Sequence, residues 1–197
     1  MDFKNAAELL ILCEKENCPI SEIMKRRECD LAETTNEELS KRMHKALTIM
    51  KKASTEPLTN PRRSMGGLLG GEARLVNLHR QEGKSICGNI LSQAIAYAMG
   101  VLEVNSSMGR IVAAPTAGSS GVVPGVFLAL QKEYDISDEK LLTALYNSSA
   151  VGYLAMRNAT VAGAVGGCQA EVGVASAMAA SGAVELMGGK PAQCLDA

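Results

Sequence analysis

The scarcity of aromatic side chains constrains this chain more than any other feature: two Phe, four Tyr and no Trp stand among 197 residues, against 19 Gly and 10 Met. Large rings normally supply much of a core's buried area. A chain without them must gain burial by bringing backbones together through small side chains, and helices that carry Ala and Gly on their contact faces do this. With 47% hydrophobic and 21% charged residues there is apolar material for one domain of ordinary size. Twenty Lys and Arg against 21 Asp and Glu leave a net charge of −1, which offers no electrostatic footprint for nucleic acid or an anionic membrane surface.

Periodicity supports the helical reading. Asn5 to Arg27 places Leu9, Leu12, Ile20, Ile23 and Met24 at helical intervals, as one helix or two broken near Pro19. Thr35 and Glu38 form a capping-box pattern ahead of Leu39, Met43, Ala46, Leu47 and Met50 on one face, with Lys41, Arg42, Lys45, Lys51 and Lys52 on a solvated one. Ser54 to Gly71 reads as loop. Further helices are expected at Ser85–Val104, Val122–Glu133, Ser137–Met156 and Gln169–Met187, the last stopped by Gly188 and Gly189. Arg110–Ala114 is the one strand candidate, and a lone strand makes no sheet. The expected fold is all-α, a single compact helical domain over residues 1–197, with glycine-rich loops between helices.

No apolar run reaches the roughly 18 residues that a membrane-spanning helix needs; Ile90–Val104 is short and contains Ser92, Gln93 and Glu103. Asp2, Glu8, Glu14 and Glu16 break any signal-peptide pattern. The expected location is cytoplasmic, where Cys13, Cys18, Cys29, Cys87, Cys168 and Cys194 are thiols; they include no CxxC pair.

Three glycine-rich segments also carry small polar side chains: Ser64–Gly71 (SMGGLLGG), Ala114–Gly121 (APTAGSSG) and Gly163–Gln169 (GAVGGCQ). None is a Walker loop or a Rossmann fingerprint. The second runs into a helix, whose free N–H groups would favour an anion such as a carboxylate, with Thr116, Ser119 and Ser120 adding hydroxyls; a plain helix-to-helix connection is the alternative. Cys168 stands directly before a predicted helix, where the dipole favours a thiolate or an anionic cluster; a small buried core residue is its alternative. In the helix that follows, Gly173, Ala177, Ala180 and Ala183 offer a smooth face for a neighbour. His44 is expected on the surface of its helix, and His79 follows the first glycine-rich segment.

The strings SMGGLLGGEA (Ser64–Ala73), APTAGSSGVVPG (Ala114–Gly125) and GCQAEVGVASAMAA (Gly167–Ala180), in that order, resemble signatures of the α chain of iron–sulfur-dependent L-serine dehydratases. The resemblance implies deamination of L-serine to pyruvate and ammonia by a 4Fe-4S cluster, without pyridoxal phosphate, an open iron acting as Lewis acid on the departing hydroxide. Cys168 matches the first cluster ligand. Thr116, Gly118, Ser119 and Ser120, with Gly66 and Gly67, match loops expected near the substrate. A β chain is the implied partner and the implied source of the proton-abstracting base, so no catalytic base is assigned here. The family pattern places two further cysteine ligands beyond the GCQAEVG helix, and this chain reaches Ala197 without them. One thiolate cannot hold a cubane, so the expectation is a truncated α chain that lacks a cluster, is inactive alone and self-associates into a homo- or hetero-oligomer. A non-catalytic interaction module of the same fold is the competing reading. A pyridoxal-phosphate lyase ranks last, because Lys84 and Lys190 stand in no phosphate-binding context.

Overall fold

Local capping decides where several helices start. In the computed structural model, which describes all 197 residues, Glu38 N–H donates to Thr35 Oγ1 at 3.2 Å and Lys140 N–H to Ser137 Oγ at 3.4 Å, as the capping patterns require. About 70% of the residues are helical and no strand forms. Arg110–Ala114, the strand candidate, lies outside any regular element because no neighbour pairs with it. No helix is long and apolar enough to cross a membrane.

The chain divides into two units, Met1–Lys45 with Ser137–Ala197, and Ala46–Ile136. The first contains α1 (Ala6–Glu16), α2 (Ile20–Leu31), the opening half of α3 (Asn36–Thr55), α7 (Asp138–Asn158), the single turn α8 (Gly163–Gly166), α9 (Cys168–Leu186) and α10 (Pro191–Asp196). The second contains the rest of α3, a 3-10 turn at Glu56–Leu58, α4 (Glu72–Gln81), α5 (Gly88–Ser106) and α6 (Val122–Tyr134). Asn17, in the left-handed region at φ 49°, ends α1, and Pro19 caps α2, so the segment read as one helix or two is two. The predicted helix bounds elsewhere shift by a few residues at most, but α4, the single turn α8 and α10 are additional to the expected helices.

In the first unit α7 is central, packing on α2 and α9. Phe3, Leu9, Cys13, Ile20, Ile23, Met24, Ala150 and Cys194 form its core. Burial pushes the Cys13 thiol up to about 12 and the Cys194 thiol up to about 11, so both are protonated apolar groups at neutral pH. The Arg27 guanidinium lies 3.7 Å from the centre of the Tyr153 ring and donates to Asp2 at 2.8 Å. A buried polar chain crosses the core: Ser181 Oγ donates to Asn147 Oδ1 and Asn147 Nδ2 to Glu185 Oε2, both at 2.7 Å.

The buried residues of α9, which packs on α7, include Ala175, Met178, Ala179 and Gly182; of the expected stripe, Gly173 and Ala177 are exposed and Ala180 and Ala183 half-buried. Apart from Gln169, Glu171 and Glu185 near its ends and two serines, this helix is small and apolar all round, so no polar face orients it and its partner selects the contact.

In the second unit α5 is central, with α4 and α6 against it. Here the small-residue expectation holds. A Cβ on Gly121, just before α6, or on Gly125 within it would meet the carbonyl oxygen of Ala98 or Ala94 on α5 at 2.5 and 2.8 Å, and one on Gly100 would meet Ser54 O at 2.8 Å. These helices touch backbone to backbone, as a core short of large rings requires.

Candidate functional site

The second unit holds two of the three glycine-rich loops, and the last turn of α5 ties both. In the first loop, Gly67 N–H donates to Ser64 O at 2.9 Å, Ser64 N–H to Leu69 O at 2.8 Å and Leu69 N–H to Ser64 Oγ at 3.1 Å, a closed turn that needs Gly67 at φ 71°. Met65 N–H donates to Ser106 O at 3.0 Å, anchoring the turn to α5. Gly70, at φ 151°, leaves no room for a side chain: a Cβ there would lie 2.6 Å from Arg62 O. Gly66 and Gly67 are exposed.

The second loop folds its hydroxyls inward. Ser119 Oγ donates to Ala114 O at 3.3 Å and Ser120 Oγ to Ala117 O at 2.7 Å, and both serines are buried. Thr116 Oγ1 lies 3.2 Å from Ser119 Oγ; Thr116 is half-buried and Gly118 exposed. Asn105 Nδ2, on α5, donates to Ala117 O at 3.2 Å and fixes the loop's tip. The helix start after this loop is a weaker anion site than its sequence suggests. Val122 N–H is committed to Ser119 O at 3.1 Å, Pro124 has no N–H, and Gly121, Val123 and Pro124 are buried against α5.

The first unit holds the third loop. Gly167 takes φ 75° and Cys168 opens α9, exposed, which removes the core-residue alternative for this cysteine. The carboxylate of Glu171, in the first turn, covers Gly163 of α8, where a Cβ would lie 3.2 Å from Oε1. The other cysteines are scattered between the buried core (Cys13, Cys194), half-buried positions (Cys18, Cys29) and the exposed start of α5 (Cys87). His44 is exposed, as expected, and so is His79.

The serine dehydratase alpha chain family profile matches residues 15–197. The chain belongs to that family. It is 38% identical over 195 residues to a probable L-serine dehydratase, alpha chain, of Bacillus subtilis (strain 168), covering 99% of this chain and 65% of that one. It is 38% identical over 192 residues to the L-serine dehydratase, alpha chain, of Peptoniphilus asaccharolyticus, covering 98% and 66%. The L-serine dehydratase TdcG of Escherichia coli (strain K12) is 33% identical over 202 residues, covering 100% of this chain and 44% of that one. The chain therefore spans just under two thirds of the length of the two alpha chains.

Family membership raises the question of whether these residues fit an iron–sulfur cluster. By themselves they do not: Cys168 is a single exposed thiol, no group of three or more His, Cys, Asp or Glu side chains is gathered to hold a metal ion, and a cubane takes three or four thiolates.

Glu103 and Asn105 were missed as functional candidates. Their side chains reach segments 12 to 32 residues away, and neither belongs to a motif. A carboxylate inside the apolar run Ile90–Val104 is the one signal in the sequence.

Proposed function

We propose that this chain is the α component of an iron–sulfur L-serine dehydratase acting with a β chain. The observation that carries the reading is the match to two L-serine dehydratase alpha chains over 98–99% of the present chain. In the proposed reaction L-serine loses its α proton and its β hydroxyl, as water, to give 2-aminoacrylate. This tautomerises to the imine, and hydrolysis yields pyruvate and ammonia. A 4Fe-4S cluster, when bound, would supply Lewis-acid assistance to hydroxide departure.

The residues of this chain contribute in two places. Cys168, exposed at the start of α9, would provide one thiolate toward such a cluster. The loops at Gly66–Gly67 and Thr116–Ser120 provide a rigid polar wall near the substrate. Because Ser119 and Ser120 spend their protons on loop carbonyls, and Thr116 Oγ1 lies against Ser119 Oγ, the hydroxyls hold the backbone in shape and the exposed peptide at Gly118 is what the loop offers a ligand. The general base is assigned to the β chain, as the family resemblance implies; both histidines here are exposed. With one cluster ligand among its residues, this chain alone neither binds a cluster nor turns over serine.

The test is pyruvate formation from L-serine by an anaerobically assembled α–β enzyme whose α chain also carries the two downstream cysteines of the family pattern, with iron and acid-labile sulfide measured per chain. About four irons and serine-dependent pyruvate in the assembled enzyme, both lost in Cys168→Ser, support the reading. A colourless assembly without pyruvate formation would show instead a non-catalytic module.

A further inference from the structure

We propose that the last turn of α5 is a latch that sets the register of the two glycine-rich loops of the second unit, and that Glu103 is its principal positioning residue for the dehydratase reaction. The second part rests on the function proposed above.

Glu103 is 4% exposed and sits one turn from the C-terminal end of α5. A carboxylate at that end meets the negative pole of its own helix, and burial adds a desolvation cost, so the position is unfavourable unless something offsets it. The offset comes from α4. Glu103 Oε1 accepts from Gly71 N–H at 3.1 Å and from Ala73 N–H at 2.9 Å, capping the start of α4 from 30 residues away. Its Oε2 is buried as well, so the purpose of this side chain is to be sought in what it holds.

That purpose is visible in what the same turn holds. Ser106 O takes Met65 N–H, so the Ser64–Gly71 loop is pinned at its start by Ser106 and at its end by Glu103. Asn105 Nδ2 holds Ala117 O in the other loop. The first loop's other ties are local: the Ser64 turn, Gly70 N–H to Glu72 Oε2 at 2.7 Å, and the approach of Gly70 to Arg62. Met65 is 80% and Leu68 89% exposed, so apolar packing contributes almost nothing to its position. Polar ties to one rigid helix are therefore what place Gly66 and Gly67 in a constant relation to Thr116 and Gly118. A site built from two loops on a common helix keeps its geometry only while that helix end holds both.

The experiment uses Glu103→Ala, Glu103→Gln and Asn105→Ala. Amide hydrogen exchange at Gly71 and Ala73 is followed in this chain, and KM and kcat for L-serine in the assembled α–β enzyme. Glu103→Ala removes the acceptor, and exchange at both amides should accelerate about tenfold or more. Its kcat/KM should fall about tenfold, mainly through KM, at unchanged iron content. Glu103→Gln retains an acceptor oxygen and should restore both quantities to within about threefold.

A purely structural role would lower kcat in proportion to the folded fraction and leave KM alone, and that result would overturn the positioning claim. Unchanged exchange at Gly71 and Ala73 in Glu103→Ala would overturn the latch. If Glu103→Ala does not fold, Asn105→Ala, which cuts only the tie to Ala117 from a half-buried side chain, carries the kinetic arm; an unchanged KM there overturns the claim. Absence of pyruvate formation by the wild-type assembly would sink the dehydratase reading and the positioning role with it, while the exchange data would still decide whether the latch exists.

Discussion

Replacing Gly125 by Ala sets two effects of known size against each other. Gly125 lies within α6, where Ala is favoured over Gly by about 1 kcal/mol through helix propensity and a less disordered unfolded chain. The added Cβ, however, would lie 2.8 Å from Ala94 O, 3.1 Å from Ala98 Cβ and 3.3 Å from Ala98 N, all on α5. Carbon–oxygen contacts settle near 3.3 Å or beyond, so the two helices must part by about 0.5 Å. A gap of that size forfeits about a quarter of the dispersion energy along the contact. Overpacking costs about 1–3 kcal/mol, and backbone atoms cannot rotate away, which places this case in the upper half of that range. The steric effect wins, for a net loss of about 1–2 kcal/mol.

Gly173→Ala in α9 is the control, since Gly173 is also helical but a Cβ there meets nothing within 4 Å. It should gain about 0.5–1 kcal/mol. For a chain of this size each kcal/mol moves Tm by about 2–4 °C, so calorimetry should show Gly125→Ala lowered by about 2–8 °C and Gly173→Ala raised by about 1–4 °C. If Gly125→Ala proves as stable as Gly173→Ala, helices α5 and α6 do not approach backbone to backbone and the account of this ring-poor core is wrong.

Asn147→Ala should cost about 2–4 kcal/mol by urea unfolding, because it strands the Ser181 hydroxyl and one Glu185 oxygen and opens a small cavity; a loss under 1 kcal/mol would show that water replaces the amide. Cys13 and Cys194 have raised values in the folded state, so the stability they contribute is complete below the ordinary thiol value of 9.0 and declines as pH rises toward about 11–12; Cys13→Ala should flatten that alkaline loss, and a thiol reagent at pH 8 should modify Cys87 and Cys168 while sparing the buried pair. Arg27→Lys keeps the charge but loses the planar stack on Tyr153 and the two-sided pairing with Asp2 and Glu28, and should cost about 1–2 kcal/mol; equal urea midpoints would mean that the stack contributes nothing.

What the sequence made legible follows from the range of each interaction. Thr35 and Ser137 announce α3 and α7 because an N-cap bond spans three residues. The start of α4 is capped by Glu103, and a pattern within the Gly70–Gly83 interval cannot report a partner 30 residues away. The stripe on α9 was misplaced for another reason. Between Cys168 and Leu186 the helix is almost uniformly small and apolar, so the period gives a helix without a preferred side, and α7 makes the choice.

The glycine-rich loops divide along the same line. In the first, glycine is required by backbone conformation, with Gly67, Gly70 and Gly71 all at positive φ, and a turn of that kind was visible in the sequence. In the second, Gly121 and the nearby Gly125 answer to contact with α5, having ordinary helical or near-helical backbone. Identical residues thus serve a local need in one loop and a tertiary need in the other. The hydroxyls beside them follow suit, since Ser119 and Ser120 are turned inward by carbonyls of a loop whose shape α5 imposes. Composition places polar groups in the loop, but which of them turn inward depends on the folded backbone, which Asn105 of α5 ties at Ala117.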